Sequence, residues 1–544
     1  YKERAKAKNE TFAEEYKTYF TRGGYIPGIE MEYQIFQQLA PSIPVAAINQ
    51  AIKEGITDGK NLVIMVMAPK KDNLKYPTET ELLKIFNDAR KIKVDPYQEA
   101  KSDEKLMTDL PKPGKITAEK KGQKYDMTEW TLSNGAKVYY KKTDYKENEI
   151  RMHAISKGGL TEYMGKDLYN AKVLNDVNEL GGYGKFDQIA LKKVLTGRSV
   201  SLNSSVGLLS ENLNGKSTKE DLETLMQLIY LQFTAQRQDK EAYEAYKEKT
   251  IEQLQTAKRN PLSSFSDSLI NTLYPNDAFR APIKEENFQK ISYERAMQIN
   301  KERFAAAGDF DFFFVGNIEE ADFKPLVERY IASLPAIKKR EVSHPEKMTR
   351  MHTGQNVCDF KKDLDTPMAI VFNLIPGKMD YNLKNILNME VLAAVMNQMY
   401  QTSIREEEGG TYGVSVSGKV NEFPEGETTL QIVYQTAPEK VDHLNNRVFV
   451  ELDKMIKEGL NKEYFEKTIE NMKKDHAEQL VENSYWLNAA VNHFFYNHDF
   501  VTDYEKVLAE ITPESVRKFA ADLRKQNNVS KVILRSTKTE SDKK

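Results

Sequence analysis

The stretch ISYERAMQINKERFAAAGDFDFFFVGN, from Ile291 to Asn317, reads as a helix opening on Ile-Ser-x-Glu and running into an apolar strand. The same unit recurs as ITPESVRKFAADLRKQNNVSKVILRST, Ile511 to Thr537, starting 220 residues later. An earlier copy, SIPVAAINQAIKEGITDGKNLVIMVMAP, lies between Ser42 and Pro69. A second pair of words supports the offset: YKEKTIEQL (Tyr246–Leu254) answers FEKTIENM (Phe465–Met472), with Thr250 and Thr468 218 residues apart. Two words at nearly one spacing, each with matching helix and strand patterns, mark an internal repeat.

The repeat orders the chain. Residues 1–95 read as the C-terminal part of a preceding domain. Residues 96–126 are charged, contain proline and lack periodicity, so they read as a linker. Residues 127–336 and 351–538 are the two full repeats, joined by a shorter connection at 336–350. Within each, strands come first: AKVYYKK and EIRMHAIS follow the turn signal SNG. A helix, a glycine turn and an alternating strand follow, GRSVSLNSSV in one repeat and GTYGVSVSG in the other. Long helices with apolar residues at spacings of three and four come next, and an apolar strand closes the unit. The pattern predicts an α+β domain, an antiparallel-rich sheet with helices packed on one face.

Composition bounds the function. At 544 residues the chain has room for three to four domains of about 150 residues each. With 79 basic and 81 acidic side chains and a net charge of −2, it carries no electrostatic footprint for nucleic acid. No apolar run reaches the roughly 18 residues of a membrane span. Cys358 is the single cysteine and reads as a buried free thiol. The first residue is Tyr1, and the polar opening has no apolar signal core, so the sequence reads as starting inside a longer protein.

One segment carries an unusual combination: SIREEEGGTYGVSVSG, Ser403 to Gly418. A charged helix end turns through Gly409–Gly410 into a strand, with Arg405 and Tyr412 seven residues apart across the turn. On residue types alone these are a helix-end cation and a strand aromatic, with Glu406–Glu408 as solvated charge available to pair with Arg405. NHFFYNHDF (Asn492–Phe500) reads as a packed aromatic helix end, and LNMEVLAAVMNQMY (Leu387–Tyr400) as a core helix. GGYGKF (Gly181–Phe186) lacks the Gly-Lys-Ser/Thr of a phosphate loop.

Two segments resemble the pitrilysin/insulinase (M16) family of zinc metallopeptidases. LSNGAKVYYKKTDYKENEIRMHAISKGGLTEY, Leu132 to Tyr163, resembles the opening of an M16 domain. IREEEGGTYGVSVSG resembles the family's Arg/Tyr segment. The resemblance implies tandem homologous M16-type (LuxS/MPP-like) domains, arranged as two halves of two domains each that close around a peptide. The family's inverted zinc motif, H-x-x-E-H, lies in its first domain. None of the seven histidines here belongs to such a motif, and the helix where it would fall, LYNAKVLNDVNELGG (Leu168–Gly182), has no histidine.

The chain therefore resembles the C-terminal half: the end of domain two, the inter-half linker, domain three without a zinc motif, and domain four with the Arg/Tyr segment. The implied activity is that of a zinc-dependent endopeptidase, with zinc ligands upstream of this chain and no metal or catalytic residue within it. By motif position, Arg405 and Tyr412 are the implied substrate contacts, reaching a peptide carbonyl as negative charge develops on it. With the strands aligned, Leu191 and Arg198 occupy their places in domain three. The implied partners are a peptide substrate and the zinc-bearing N-terminal half. Two alternatives stand beside this: the Arg/Tyr subunit of a two-chain peptidase, and a non-catalytic peptide-binding or structural module. Resemblance to bacterial members implies a periplasmic or exported location, with the cytoplasm left open.

Overall fold

A computed structural model describes residues 1–55, 61–68, 75–94, 104–336 and 339–539. The chain divides into two compact units, Tyr1–Glu104 and Lys105–Lys544.

Among its described residues the first unit holds four α-helices, Asn9–Arg22, Ile29–Leu39, Val45–Gly55 and Glu79–Ala89, none with a buried residue. The apolar run expected to close the earliest copy behaves differently from its counterparts. Leu62–Met67 forms no strand and its six side chains are exposed. A strand forms by pairing, and no described residue of this unit lies in a strand that could pair with it. Residues 56–60 and Pro69 of that copy lie outside the described residues.

The second unit is built on two sheets. The first contains β1 (Ile116–Gln123), β2 (Met127–Leu132), β3 (Lys137–Lys142), β4 (Ile150–Lys157), β5 (Val200–Val206), β6 (Ser210–Ser217) and β7 (Asp311–Gly316), in the order β1-β2-β3-β7-β4-β6-β5. The second contains β8 (Gln355–Lys362), β9 (Ala369–Lys378), β10 (Val414–Val420), β11 (Glu427–Thr436) and β12 (Val529–Ser536), in the order β10-β11-β9-β12-β8. Beneath the different numbers is one topology. β3-β7-β4-β6-β5 matches β8-β12-β9-β11-β10 strand for strand, with the closing strand parallel to the opening one and every other pair antiparallel.

The helices repeat as well. In the first repeat α1 (Leu222–Thr234), α2 (Lys240–Ala257), α3 (Pro261–Leu273), α4 (Glu285–Phe288) and α5 (Tyr293–Arg303) separate β6 from β7. In the second, α6 (Leu383–Tyr400) joins β9 to β10. There α7 (Val441–Glu458), α8 (Lys462–Gln479), α9 (Asn483–Phe494), α10 (Tyr504–Ala509) and α11 (Pro513–Lys525) separate β11 from β12. Ile291 and Ile511 sit at equivalent helix starts. Each is buried and precedes a cap, Ser292 accepting from the Arg295 amide and Thr512 from that of Ser515.

Two expectations change. The segment read as a linker to residue 126 supplies β1, which pairs with β2, while residues 95–103 lie outside the described residues. Its lysine-rich sequence suits an edge strand, where one side faces water. Each repeat's own helices pack on one face of its sheet, and a helix of the other repeat covers the opposite face. β7 is buried along its whole length because both faces are covered. Phe312 and Phe314 meet the repeat's own α1 and α5, whereas Phe313 and Val315 meet Leu487, Ala490 and Val491 of α9, from the other repeat. The exchange is mutual: Leu273, Phe265 and Leu269 of α3 cover Phe372, Leu374 and Val532 of the second sheet. Cys358 lies on this face in edge strand β8, half-buried rather than fully enclosed.

Polar ties seal the exchange. Asn483, fully buried at the start of α9, accepts from the Thr143 hydroxyl at 2.6 Å and donates to Glu149 at 3.2 Å. Asp499 accepts from the Tyr125 hydroxyl at 2.6 Å and pairs with Lys124 at 2.7 Å.

The exchange predicts one unfolding transition for the second unit. Leu487→Ala should lower the stability of both repeats together by about 2–4 kcal/mol, measured by calorimetry, and two separate transitions would contradict it. A pH dependence follows from Asp499. Burial raises its carboxyl, but the hydrogen bonds from Lys124, Thr502 and Tyr125 outweigh burial and hold it well below the usual carboxylate range. Its contribution is therefore present above the unfolded value of about 4 and lost as pH falls below it. The melting temperature of the wild type should fall more steeply between pH 5 and 3 than that of Asp499→Asn (about one pH unit either side of that value).

Candidate functional site

The Arg/Tyr segment begins where α6 ends. Its helix is buried through Tyr400, whose hydroxyl donates to the Val448 carbonyl at 2.9 Å. The chain then widens into a π-helical turn, Gln401–Glu406, closed by the Glu407 amide on the Thr402 carbonyl at 3.0 Å. Ile404 is fully buried, so the next residue, Arg405, leaves an anchored backbone and is exposed. Gly409 follows at φ +56°, and a Cβ on Gly410 would come within 2.7 Å of Leu444. These two positions need glycine for those reasons.

Fixed points then hold the turn. The Thr436 hydroxyl donates to the Gly410 carbonyl at 2.6 Å. The Thr411 hydroxyl bridges both backbone groups of Gly413, at 3.0 and 3.2 Å. Tyr412 stands at the tip, 97% exposed, just before β10 begins. Among the described residues, neither the Tyr412 hydroxyl nor the Arg405 guanidinium has a hydrogen-bond or ion-pair partner. Both donors are therefore presented to solvent from a turn whose neighbours are tied down.

The glutamates do not pair with Arg405. Glu407 and Glu408 turn to α7 instead. His443 Nε2 lies 2.7 Å from Glu408. Arg447 reaches Glu408 at 3.2 Å, Glu407 at 3.5 Å and Glu451 at 2.9 Å. The His443 hydrogen bond holds the Glu408 carboxyl below its ordinary value. Sequence reasoning missed this clamp. The available signal was His443, Arg447 and Glu451 at four-residue spacing on one helix face.

β10 is an edge strand, but its outer side is partly occupied. The Asn397 side chain accepts from the Val416 amide at 2.8 Å and donates to the Val416 carbonyl at 2.7 Å. Asn175 treats Val206 of β5 in the same way, at 2.8 and 3.3 Å. Each edge is thus covered by an asparagine from a preceding helix, which blocks stray strand pairing there.

In the first repeat, the residues at the positions aligned with Arg405 and Tyr412 both have partners within the fold. Leu191 packs among apolar neighbours, and Arg198 donates to the Thr224 hydroxyl at 2.8 Å. The aromatic end of α9 also has a packing role: Phe494 stacks on Tyr139 at 4.4 Å, and His493 meets the Tyr125 ring edge-on at 5.5 Å. Among the described residues, no group of three or more His, Cys, Asp or Glu side chains is placed to hold a metal ion, so these residues do not fit a zinc centre. No described helix is long and apolar enough to cross a membrane.

Residues 290–472 match the family model described as the Peptidase M16 inactive domain. Over these residues the chain is similar to the M16 peptidases. It is 22% identical over 510 residues to a zinc protease PQQL-like protein of Arabidopsis thaliana, covering 90% of this chain and 50% of that protein. It is 21% identical over 465 residues to a probable zinc protease PqqL of Haemophilus influenzae, covering 84% and 49%. The solved structure of the periplasmic protease PqqL from Escherichia coli superposes with a TM-score of 0.70 at 18% identity, covering 98% of this chain and 59% of that one. The chain spans about half the length of the curated relatives it matches.

The clamp generates a prediction on the isolated chain. Arg447→Ala should leave the melting temperature nearly unchanged and raise the rate of limited proteolysis between Glu406 and Gly413 several-fold. Unchanged cleavage there would show that the clamp does not order the turn.

Proposed function

We propose that this chain is the non-zinc half of an M16 zinc endopeptidase, and that Arg405 and Tyr412 contact its peptide substrate. The observation that carries this reading is the pair of unpartnered donors on an anchored turn. An exposed phenol and a guanidinium without partners of their own, on a tied backbone, are well suited to a contact made with a ligand. A phenol hydroxyl and a guanidinium aimed at one peptide carbonyl stabilise the negative charge that grows there during attack, and the fixed turn lowers the cost of orienting them. Arg405 also suits ground-state contact with neighbouring carbonyl groups, because its planar fork offers several donors.

The zinc of the relatives named zinc proteases is held in this reading by residues outside the chain, together with the rest of the substrate chamber. The exposed Leu62–Met67 run supports this, because its counterparts β7 and β12 each lie between two neighbouring strands. In this reading, residues 1–95 complete a further domain with chain not present here, 127–336 is a structural domain, and 351–538 carries the substrate contacts. The periplasmic location of the Escherichia coli relative makes an exported location the expected one.

The test uses the complete protein. Tyr412→Phe deletes only the hydroxyl and should lower turnover by about 10²–10³. Arg405→Ala should lower turnover and also raise KM. Neither should change zinc content or melting temperature. Wild-type turnover in both variants would remove the substrate-contact role.

A further inference from the structure

At the end of β10 remote from Tyr412, a cavity of about 460 Å³ opens between the β10–β11 hairpin, the segment after α9 and the first repeat's β5–β6 turn. β10 spans seven residues, about 20 Å, so this cavity is distinct from the Arg/Tyr turn.

Its charged groups differ in how far they are already matched. Arg280 is bound to Asp277, a fully buried carboxylate, and lies over the Tyr274 ring at 4.0 Å. Glu427 accepts from the Tyr274 hydroxyl at 2.9 Å and the Met351 amide at 3.0 Å. Glu422 has no such match. Among the described residues, no lysine or arginine pairs with it, and its one ionisable base is His498, Nε2 to Oε1 at 3.1 Å. That nitrogen is buried and lacks a well-aligned hydrogen bond. The hydroxyls of Tyr381 and Tyr496 lie near enough that the Glu422 charge adds to burial in pushing both phenols up.

The walls around this carboxylate are aromatic. His498 stacks on Phe500 at 5.4 Å, and the Tyr381 ring meets them edge-on at 5.0 and 5.4 Å. A carboxylate without a permanent countercharge, set among ring faces, favours a cation through charge and quadrupole together. A lysine or arginine stem would lay its methylenes along the rings while its head reaches the carboxylate. The volume falls within the range of small-ligand sites.

We propose that this cavity binds a basic side chain of a peptide, lysine or arginine, with Glu422 as its anionic partner and Tyr381 and Tyr496 as its walls. The choice of a peptide as the ligand rests on the peptidase reading, whereas the choice of a cation rests on the cavity.

The experiment is calorimetric titration of the 544-residue chain with Gly-Gly-Lys-Gly-Gly and with its norleucine counterpart, which keeps the methylenes and deletes the charge. The lysine peptide should bind saturably at about millimolar Kd, and the norleucine peptide about tenfold more weakly or worse. Glu422→Gln should show the same loss for the lysine peptide at an unchanged melting temperature, and Tyr381→Leu should weaken it independently. Absence of lysine-peptide binding, equal binding of the norleucine peptide, or full binding by Glu422→Gln overturns the proposal. Arg405→Ala separates it from the peptidase reading. Binding lost in Arg405→Ala but kept in Glu422→Gln would move the peptide to the Arg/Tyr turn, removing this cavity while leaving the substrate-contact role intact.

Discussion

Each sheet of the second unit leaves an apolar outer face that its own repeat does not cover. The contact of α9 with Phe313 and Val315, matched by that of α3 with Phe372 and Val532, supplies the missing cover from the other repeat. Burial of such aromatic and branched side chains contributes roughly 1.5–3 kcal/mol each, and here it is available only when both repeats are present. The rest follows from it. The two sheets become one body, the connection between repeats is held in place, and the segment after α9 is brought to the β10–β11 hairpin. The Arg/Tyr turn is attached to this body.

The two repeats show how one scaffold carries different turns. The five matched strands keep one order in both repeats, and the turn before the edge strand differs between them. In the second repeat that turn has two glycines, a π-helical lead and a clamp from α7. In the first, the aligned arginine is bound to Thr224 and the aligned leucine packs inward. Loops on a fixed frame are where such divergence is tolerated, because they can change without disturbing the core.

Much of this was legible in the sequence, since it is local. Ile291 and Ile511 announce capped helices, and FDFFFVG and KVILRS announce strands, because capping and apolar pattern act within a few residues. The fold class and the repeated sheet order follow from the spacing between those words. Other features depend on partners remote in sequence. β1 was hidden in a lysine-rich stretch because an edge strand needs only one neighbour. The exchange of α3 and α9 was hidden because an apolar helix face does not say which sheet it meets. The Glu407–Glu408 clamp was hidden because Arg447 is nearly forty residues away from it. Leu62–Met67 failed the other way: its pattern promised a strand, but pairing needs a neighbour that no described residue of its unit provides.

The central claim is that the Arg405–Tyr412 turn touches substrate. Photo-crosslinking tests it most directly, with benzoylphenylalanine replacing Tyr412 in the complete protein and, as a control, replacing Arg198 at the aligned turn of the first repeat. A peptide substrate should be captured at position 412 and competed away by unlabelled peptide, with no capture at position 198. Equal capture at both positions, or none at 412 while the protein still hydrolyses the peptide, would contradict it.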